Sequence, residues 1–190
     1  MWFRGASRYL DDLVARIDAP LLDKLGMTFF HNIDTSQISQ FICRTPKLNE
    51  IDEAFLSYQV SILLSRSFGG DGELSLAIWH NSSDWQLFSL AHLCCSSFPQ
   101  TLIPSVERLY ILEDEEACLF LQDDIESSQW LELLQPFTAV KDLYISQEFV
   151  PRIAPTLREL VGGRVTEVLP ALQSLFLQET LSSEPIQESI

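Results

Sequence analysis

The chain repeats itself. Val106-Glu107-Arg108-Leu109-Tyr110-Ile111 returns 34 positions later as Val140-Lys141-Asp142-Leu143-Tyr144-Ile145, and a looser copy, Leu172-Gln173-Ser174-Leu175-Phe176-Leu177, follows after another 32. All three read apolar-x-x-Leu-aromatic-apolar. Self-similarity at a fixed spacing constrains a fold more than any composition does, because each unit must then take the same local structure and stack on its neighbours. Between the copies lie helix-like stretches. A unit of one strand and one helix cannot bury its apolar face alone, whereas stacked units share a continuous core. The expected fold is therefore an α/β solenoid of leucine-rich-repeat type, irregular, with about five strand-helix units and a mostly parallel sheet. A doubly wound α/β domain also alternates strand and helix. The near-identity of the copies at Val106 and Val140 favours the solenoid.

Taken in order, Leu10, Leu13, Val14 and Ile17 recur at helical spacing over 7–18, with Ser7 as a cap and Pro20 as the stop. A strand is expected from Leu22 through Leu25 and Met27 to Phe30. A second helix carries Ile38, Phe41 and Ile42 behind Thr35 or Ser36, and Thr45-Pro46 ends it. Leu48-x-x-Ile51 then opens a strand interrupted by Asp52 and Glu53. Residues 60–64 read either as one arm of a hairpin or as an extra edge. Gly69, Gly70 and Gly72 mark a loop, and Leu74, Leu76 and Ile78 alternate strictly, as in a strand with one buried face. Helices are expected after Asn81-Ser82-Ser83-Asp84, around Trp130 to Leu134, and from Pro151 to the Gly162-Gly163 stop. The domain is read as 1–181, with 182–190 a polar, acidic tail.

With 27 acidic and 12 basic residues the formal net charge is −15. Such a surface repels phosphate backbones and anionic membranes, so neither nucleic acid nor membrane is an expected partner. No run approaches the ~18 apolar residues of a membrane span, and no secretory signal is visible at Met1-Trp2-Phe3-Arg4-Gly5. Cys43, Cys94, Cys95 and Cys118 are irregularly spaced, unlike a disulfide scaffold. The expectation is an intracellular protein, cytoplasmic or nuclear, with reduced thiols.

Metal, cofactor and catalytic residues are not expected. Gly69-Gly70-Asp71-Gly72 lacks the Lys-Ser/Thr of a phosphate loop. The acidic run Glu113-Asp114-Glu115-Glu116, with Asp123 and Asp124, lacks the alternation of a calcium loop. No histidine stands at zinc-ligand spacing from a cysteine. His80 near Asp84 and His92 near Cys94 come without a recognisable catalytic context. A small α/β enzyme with a cryptic site is the alternative class, and a truncated copy without independent activity a third.

The repeat cores, together with Tyr9-Leu10-Asp11-Asp12-Leu13, Ala19-Pro20-Leu21-Leu22, Arg44-Thr45-Pro46-Lys47-Leu48 and Trp130-Leu131-Glu132-Leu133-Leu134, resemble the leucine-rich-repeat region of fungal F-box-type proteins over most of residues 7–180. The resemblance implies the substrate-recognition part of a ubiquitin-ligase adaptor. A Leu-Pro-x-Glu-like F-box helix is not seen near the N-terminus. Phe30, Asp114, Glu148 and Thr180 stand where such repeats carry asparagine, which implies irregular repeats.

Side chains alternate along a strand. With Leu109 and Ile111 facing the core, Arg108, Tyr110 and Leu112 face the concave side, as do Asp142 and Tyr144, then Ser174 and Phe176. Tyr110, Tyr144 and Phe176 would form an aromatic ladder, with Trp79 extending it. Trp79, Arg108, Tyr110, Asp142, Tyr144 and Phe176 are the candidate binding residues for a protein partner. Cross-strand aromatic pairs also stabilise a sheet by themselves, which is the competing account of the ladder.

Overall fold

Period-two alternation of Leu, aromatic and aliphatic residues commits each repeat core to an extended strand with one apolar face, and pairing those strands generates the sheet. The computed structural model describes residues 2–4, 16–29, 36–48, 50–57, 61–66, 72–78, 94, 98, 102–112, 127–159 and 168–178. Among them are eight strands: β1 (Trp2–Arg4), β2 (Lys24–Phe29), β3 (Glu53–Ser57), β4 (Ser61–Ser65), β5 (Glu73–Ile78), β6 (Arg108–Leu112), β7 (Asp142–Ser146) and β8 (Ser174–Gln178). They form one sheet in the order β1-β2-β5-β4-β3-β6-β7-β8. Neighbours run parallel except around β4, which is antiparallel to both β3 and β5. The described helices are α1 (Ser36–Arg44), α2 (Ser127–Leu134) and α3 (Val150–Glu159). The protein is thus α/β with a mixed, mostly parallel sheet.

Each parallel strand of the repeat is entered through the same tight turn. Leu22 N–H donates to Ala19 C=O at 3.0 Å, Leu48 to Thr45 at 3.0 Å, Val106 to Ile103 at 3.1 Å, Val140 to Phe137 at 3.3 Å and Leu172 to Leu169 at 3.1 Å. In four of these five turns proline follows the acceptor: Pro20, Pro46, Pro104 and Pro170. Proline suits that place because its fixed φ pre-sets the first bend. A second periodic contact follows. The Asp52 carbonyl accepts from the N–H groups of Glu107 and Arg108, that of Glu107 from Lys141 and Asp142, and that of Lys141 from Gln173 and Ser174, all at 2.8–3.2 Å. One carbonyl thus holds two amides of the next unit and fixes its register before the strand begins.

The core lies on one face. Leu25, Met27, Leu74, Leu76, Ile62, Leu64, Ala54, Leu56, Leu109, Ile111, Leu143 and Ile145 alternate inward and are buried. They form a single cluster with Phe41 and Ile42 of α1, Trp130, Leu133 and Leu134 of α2, and Ile153 of α3. All three described helices therefore pack on the same side of the sheet, unlike the doubly wound arrangement, which covers both. Trp130 meets Phe149 edge to face at 5.5 Å, the favoured geometry of an aromatic pair. The last turn of α1 is closed by Thr45 Oγ1 donating to the Phe41 carbonyl at 2.9 Å.

The structure differs from the sequence expectation in the middle of the chain. Leu48 does not open a strand. Pro46–Leu48 is a 3-10 turn and β3 begins at Glu53. Asp52 and Glu53 enter the strand rather than interrupt it, because Asp52 supplies the carbonyl that receives the next unit. Of the two readings of residues 60–64, the hairpin holds and the edge does not: β4 pairs antiparallel with β5, and also with β3. The β3-β4-β5 meander therefore stands between β2 and β6, so strands do not follow strictly in chain order. The expected helix at 7–18, the helix after Asn81, the acidic run at 113–124, Gly69, Gly70, Gly162, Gly163 and the tail at 182–190 lie wholly or almost wholly outside the described residues.

Candidate functional site

The face opposite the helices carries two cross-strand rows, fixed by register. The first reads Lys24, Glu73, Ser65, Glu53, Arg108, Asp142 and Ser174 from β2 to β8. The second reads Gly26, Ser75, Leu63, Phe55, Tyr110, Tyr144 and Phe176. Beyond it, register pairs Thr28 with Ala77, Ala77 with Ser61, Ser61 with Ser57 and Ser57 with Leu112, and Ser146, which is buried, with Gln178. This face is charged along the first row and aromatic along half of the second.

The aromatic half of the second row is a continuous stack. Phe55 and Tyr110 lie 4.4 Å apart between ring centroids, Tyr110 and Tyr144 4.4 Å, and Tyr144 and Phe176 4.6 Å, with interplanar angles of 8°, 10° and 13°. The cause is the backbone. Parallel strands in register repeat every ~4.8 Å, so identical rotamers on successive strands bring flat rings to van der Waals distance. The inner rings are half-buried, and Phe176 at the end of the row is 43 % exposed. Such pairs contribute about 0.5–1.5 kcal/mol each beyond their area, so the stack stiffens the face and presents a pre-ordered apolar surface.

Arg108 is held beside the stack. Its Nε lies 3.2 Å from Glu53 Oε1 and its Nη2 3.5 Å from Asp52 Oδ2. Lys24 and Glu73 pair at 2.8 Å at the β2 end of the same row. Partly exposed pairs of this kind contribute little to stability. They fix where the charges sit.

Tyr110 also has a perturbed hydroxyl. Burial among its neighbours pushes its pKa above the ordinary tyrosine value. The negative charge of Glu53, and that of the Tyr144 phenolate, add to this, Arg108 acts in the opposite sense, and a hydrogen bond with Tyr144 raises it further. A raised folded pKa means that the native state binds the phenolic proton more tightly than the unfolded chain. The corresponding stability is fully present below the unfolded value of ~10 and is lost as pH rises through the folded one. Ultraviolet titration of tyrosinate is expected to show a late component above the ordinary tyrosine value, and that component should vanish in Tyr110→Phe. An unchanged late component in the variant would assign it elsewhere.

Of the residues singled out by sequence, Arg108, Tyr110, Asp142, Tyr144 and Phe176 come together on this face, while Trp79 lies outside the described residues. Phe55 was missed. Its signal is Ile51-Asp52-Glu53-Ala54-Phe55-Leu56, the repeat pattern with alanine in the leucine place, hidden when the strand is started three residues early at Leu48. His80 and His92 lie outside the described residues, Cys94 is buried and Cys43 exposed. Among the described residues no group of three or more His, Cys, Asp or Glu could hold a metal ion, and no helix is long and apolar enough to cross a membrane.

The face thus carries a row of stacked, partly exposed rings with charged residues at its margin. No protein-family model, curated protein or solved structure matches the chain.

Proposed function

We propose that the chain is a protein-binding module whose open sheet face, centred on Phe55, Tyr110, Tyr144 and Phe176, receives a partner protein. The observation that carries this reading is the four-ring stack left partly exposed on the face away from the helices. Rigid aromatic side chains lose little entropy on binding and anchor interfaces for that reason. Arg108 and Asp142 at the margin supply orientation.

The reading extends to architecture and pathway. A leucine-rich-repeat-type solenoid is supported by the recurring proline turn, by the carbonyl that receives two amides of the next unit, and by helices on one side only. The β3-β4-β5 meander is the irregular part of that arrangement. Within this reading the partner is a substrate of a ubiquitin ligase, and the chain its recognition part.

The test is affinity co-purification from native cell extract with the wild-type chain beside Tyr110→Ala/Tyr144→Ala. A discrete partner retained by the wild type and lost at least tenfold in the double variant is expected, with unchanged far-ultraviolet circular dichroism. Equal retention by both chains would remove the face from the interaction. A Skp-type adaptor and a cullin in the wild-type eluate would support the ligase role, and their absence beside a discrete partner would leave binding without it.

A further inference from the structure

Among the described residues, β8 stands at one end of the sheet and lacks the usual protection of an edge. In β7 the inward residues Leu143 and Ile145 are fully buried. Their register partners Leu175 and Leu177 in β8 are 49 % and 60 % exposed. On the other face the stack ends at Phe176. Edge strands are ordinarily blunted by charge, proline or a bulge. The segment Gln173-Ser174-Leu175-Phe176-Leu177-Gln178 has no charged residue and no proline, and it pairs with β7 in unbroken register.

Its order is also symmetric: polar-Leu-Phe-Leu-polar about Phe176. Two copies of this strand, antiparallel and related by a two-fold axis through Phe176, would set Phe176 against Phe176, Leu175 against Leu177, and Ser174 against Gln178. Directly opposed residues in an antiparallel pair lie on the same face. The phenylalanines would therefore meet on the open face, joining the two stacks, while the leucines would meet on the helix side, continuing the two cores. The backbone agrees. Ser174 N–H donates to Lys141 C=O, so alternation turns the N–H and C=O of Leu175 and Leu177 away from β7, toward the open edge. These are the groups that a Leu175–Leu177 hydrogen-bonded pair uses, with Phe176–Phe176 as the non-hydrogen-bonded pair between two of them.

Charge decides in favour of a second copy. A chain of net charge −15 resists self-association through most of its surface, since two-fold contact opposes like with like. The β8 segment is uncharged from Gln173 to Gln178, so its pairing sets no like charges directly against each other. We infer that the β8 edge is a self-association site, through which two copies of this chain join their sheets by antiparallel β8–β8 pairing.

The test is sedimentation velocity over a range of protein concentration, with the chain and with Leu175→Lys/Leu177→Lys. Both leucines are exposed, so the charges leave the fold intact, and circular dichroism checks this. The wild type is expected to pass from one chain mass of 21.6 kDa to twice that value as concentration rises, and the lysine pair to stay at one. A second measurement needs no folding-neutral charge. Under mild oxidation Phe176→Cys should give a disulfide between two copies of position 176, identified by mass spectrometry, because opposed Cα atoms of a non-hydrogen-bonded pair lie about 4.5 Å apart. Leu175→Cys faces Leu177 and should not bridge to itself. A wild type that remains one mass at all concentrations would overturn the inference, as it would if residues 179–190 or a different protein occupied the edge. So would a dimer unaffected by the lysine pair, or equal bridging at 175 and 176. Loss of partner binding in Tyr110→Ala/Tyr144→Ala is a separate result, since neither tyrosine is in β8.

Discussion

Leu143→Ala is expected to lower the free energy of unfolding by about 2–5 kcal/mol, and Leu177→Ala by much less. The two leucines occupy repeat cores of the same pattern on adjacent strands, and Leu143 is fully buried whereas Leu177 is 60 % exposed. Truncation at position 143 removes apolar atoms from a packed cluster holding Leu109, Ile111, Trp130, Leu133 and Ile153. The loss combines transfer free energy with the cavity left behind. At position 177 the atoms already face water and little burial is surrendered. For a chain of this length the difference corresponds to about 5–15 °C in melting temperature, measurable by thermal or chemical denaturation of both variants. Equal destabilisation would mean that β8 is covered as fully as β7.

Gly72→Ala is expected to cost about 2–4 kcal/mol for a different reason. Gly72 has φ +126°, in a region open almost only to glycine. A Cβ placed there would lie 2.4 Å from the carbonyl oxygen of Lys47, which belongs to the Pro46–Leu48 turn. Backbone does not yield as a flexible side chain does, so relief requires moving the turn that leads toward β3 or the start of β5. Both strands belong to the central meander, and the damage would reach β4 between them. Chemical denaturation with Gly72→Ala beside the wild type reads the effect. A midpoint unchanged within error would show that the contact is relieved without cost.

Local features of the fold were legible because they recur. Leu109-Tyr110-Ile111 and Leu143-Tyr144-Ile145 each specify a strand with a buried face, and Pro20 and Pro46, expected as helix stops, lie in the turns that precede strands. The inward and outward assignment of the β6, β7 and β8 side chains followed from alternation alone. The pairing of β4 did not, because which strands it lies between depends on contacts far apart in sequence, and 61–65 carries no repeat letters. The displacement of β3 has a simple cause. Asn49-Glu50-Ile51 lengthens the connection between the Thr45 turn and the strand by three residues, so a reader matching Leu48 to Leu22 starts too early and overlooks Phe55. The exposure of Leu175 and Leu177 was equally hidden, since burial depends on whether another strand follows in space.

The tight turns before the strands give each of these five units a zero mark. Turn acceptors stand at Ala19, Thr45, Ile103, Phe137 and Leu169, so successive marks are separated by 26, 58, 34 and 32 positions. Length is held constant only over the few residues from the mark into the strand, except where β3 carries its three extra ones. All the remaining variation accumulates between a strand's exit and the following mark. The sheet behaves as a ruler whose graduations are printed from one margin: material can be spliced into the far side of a unit without altering the reading of the next, which is how a whole meander came to sit between two marks with the register of β6 onward intact.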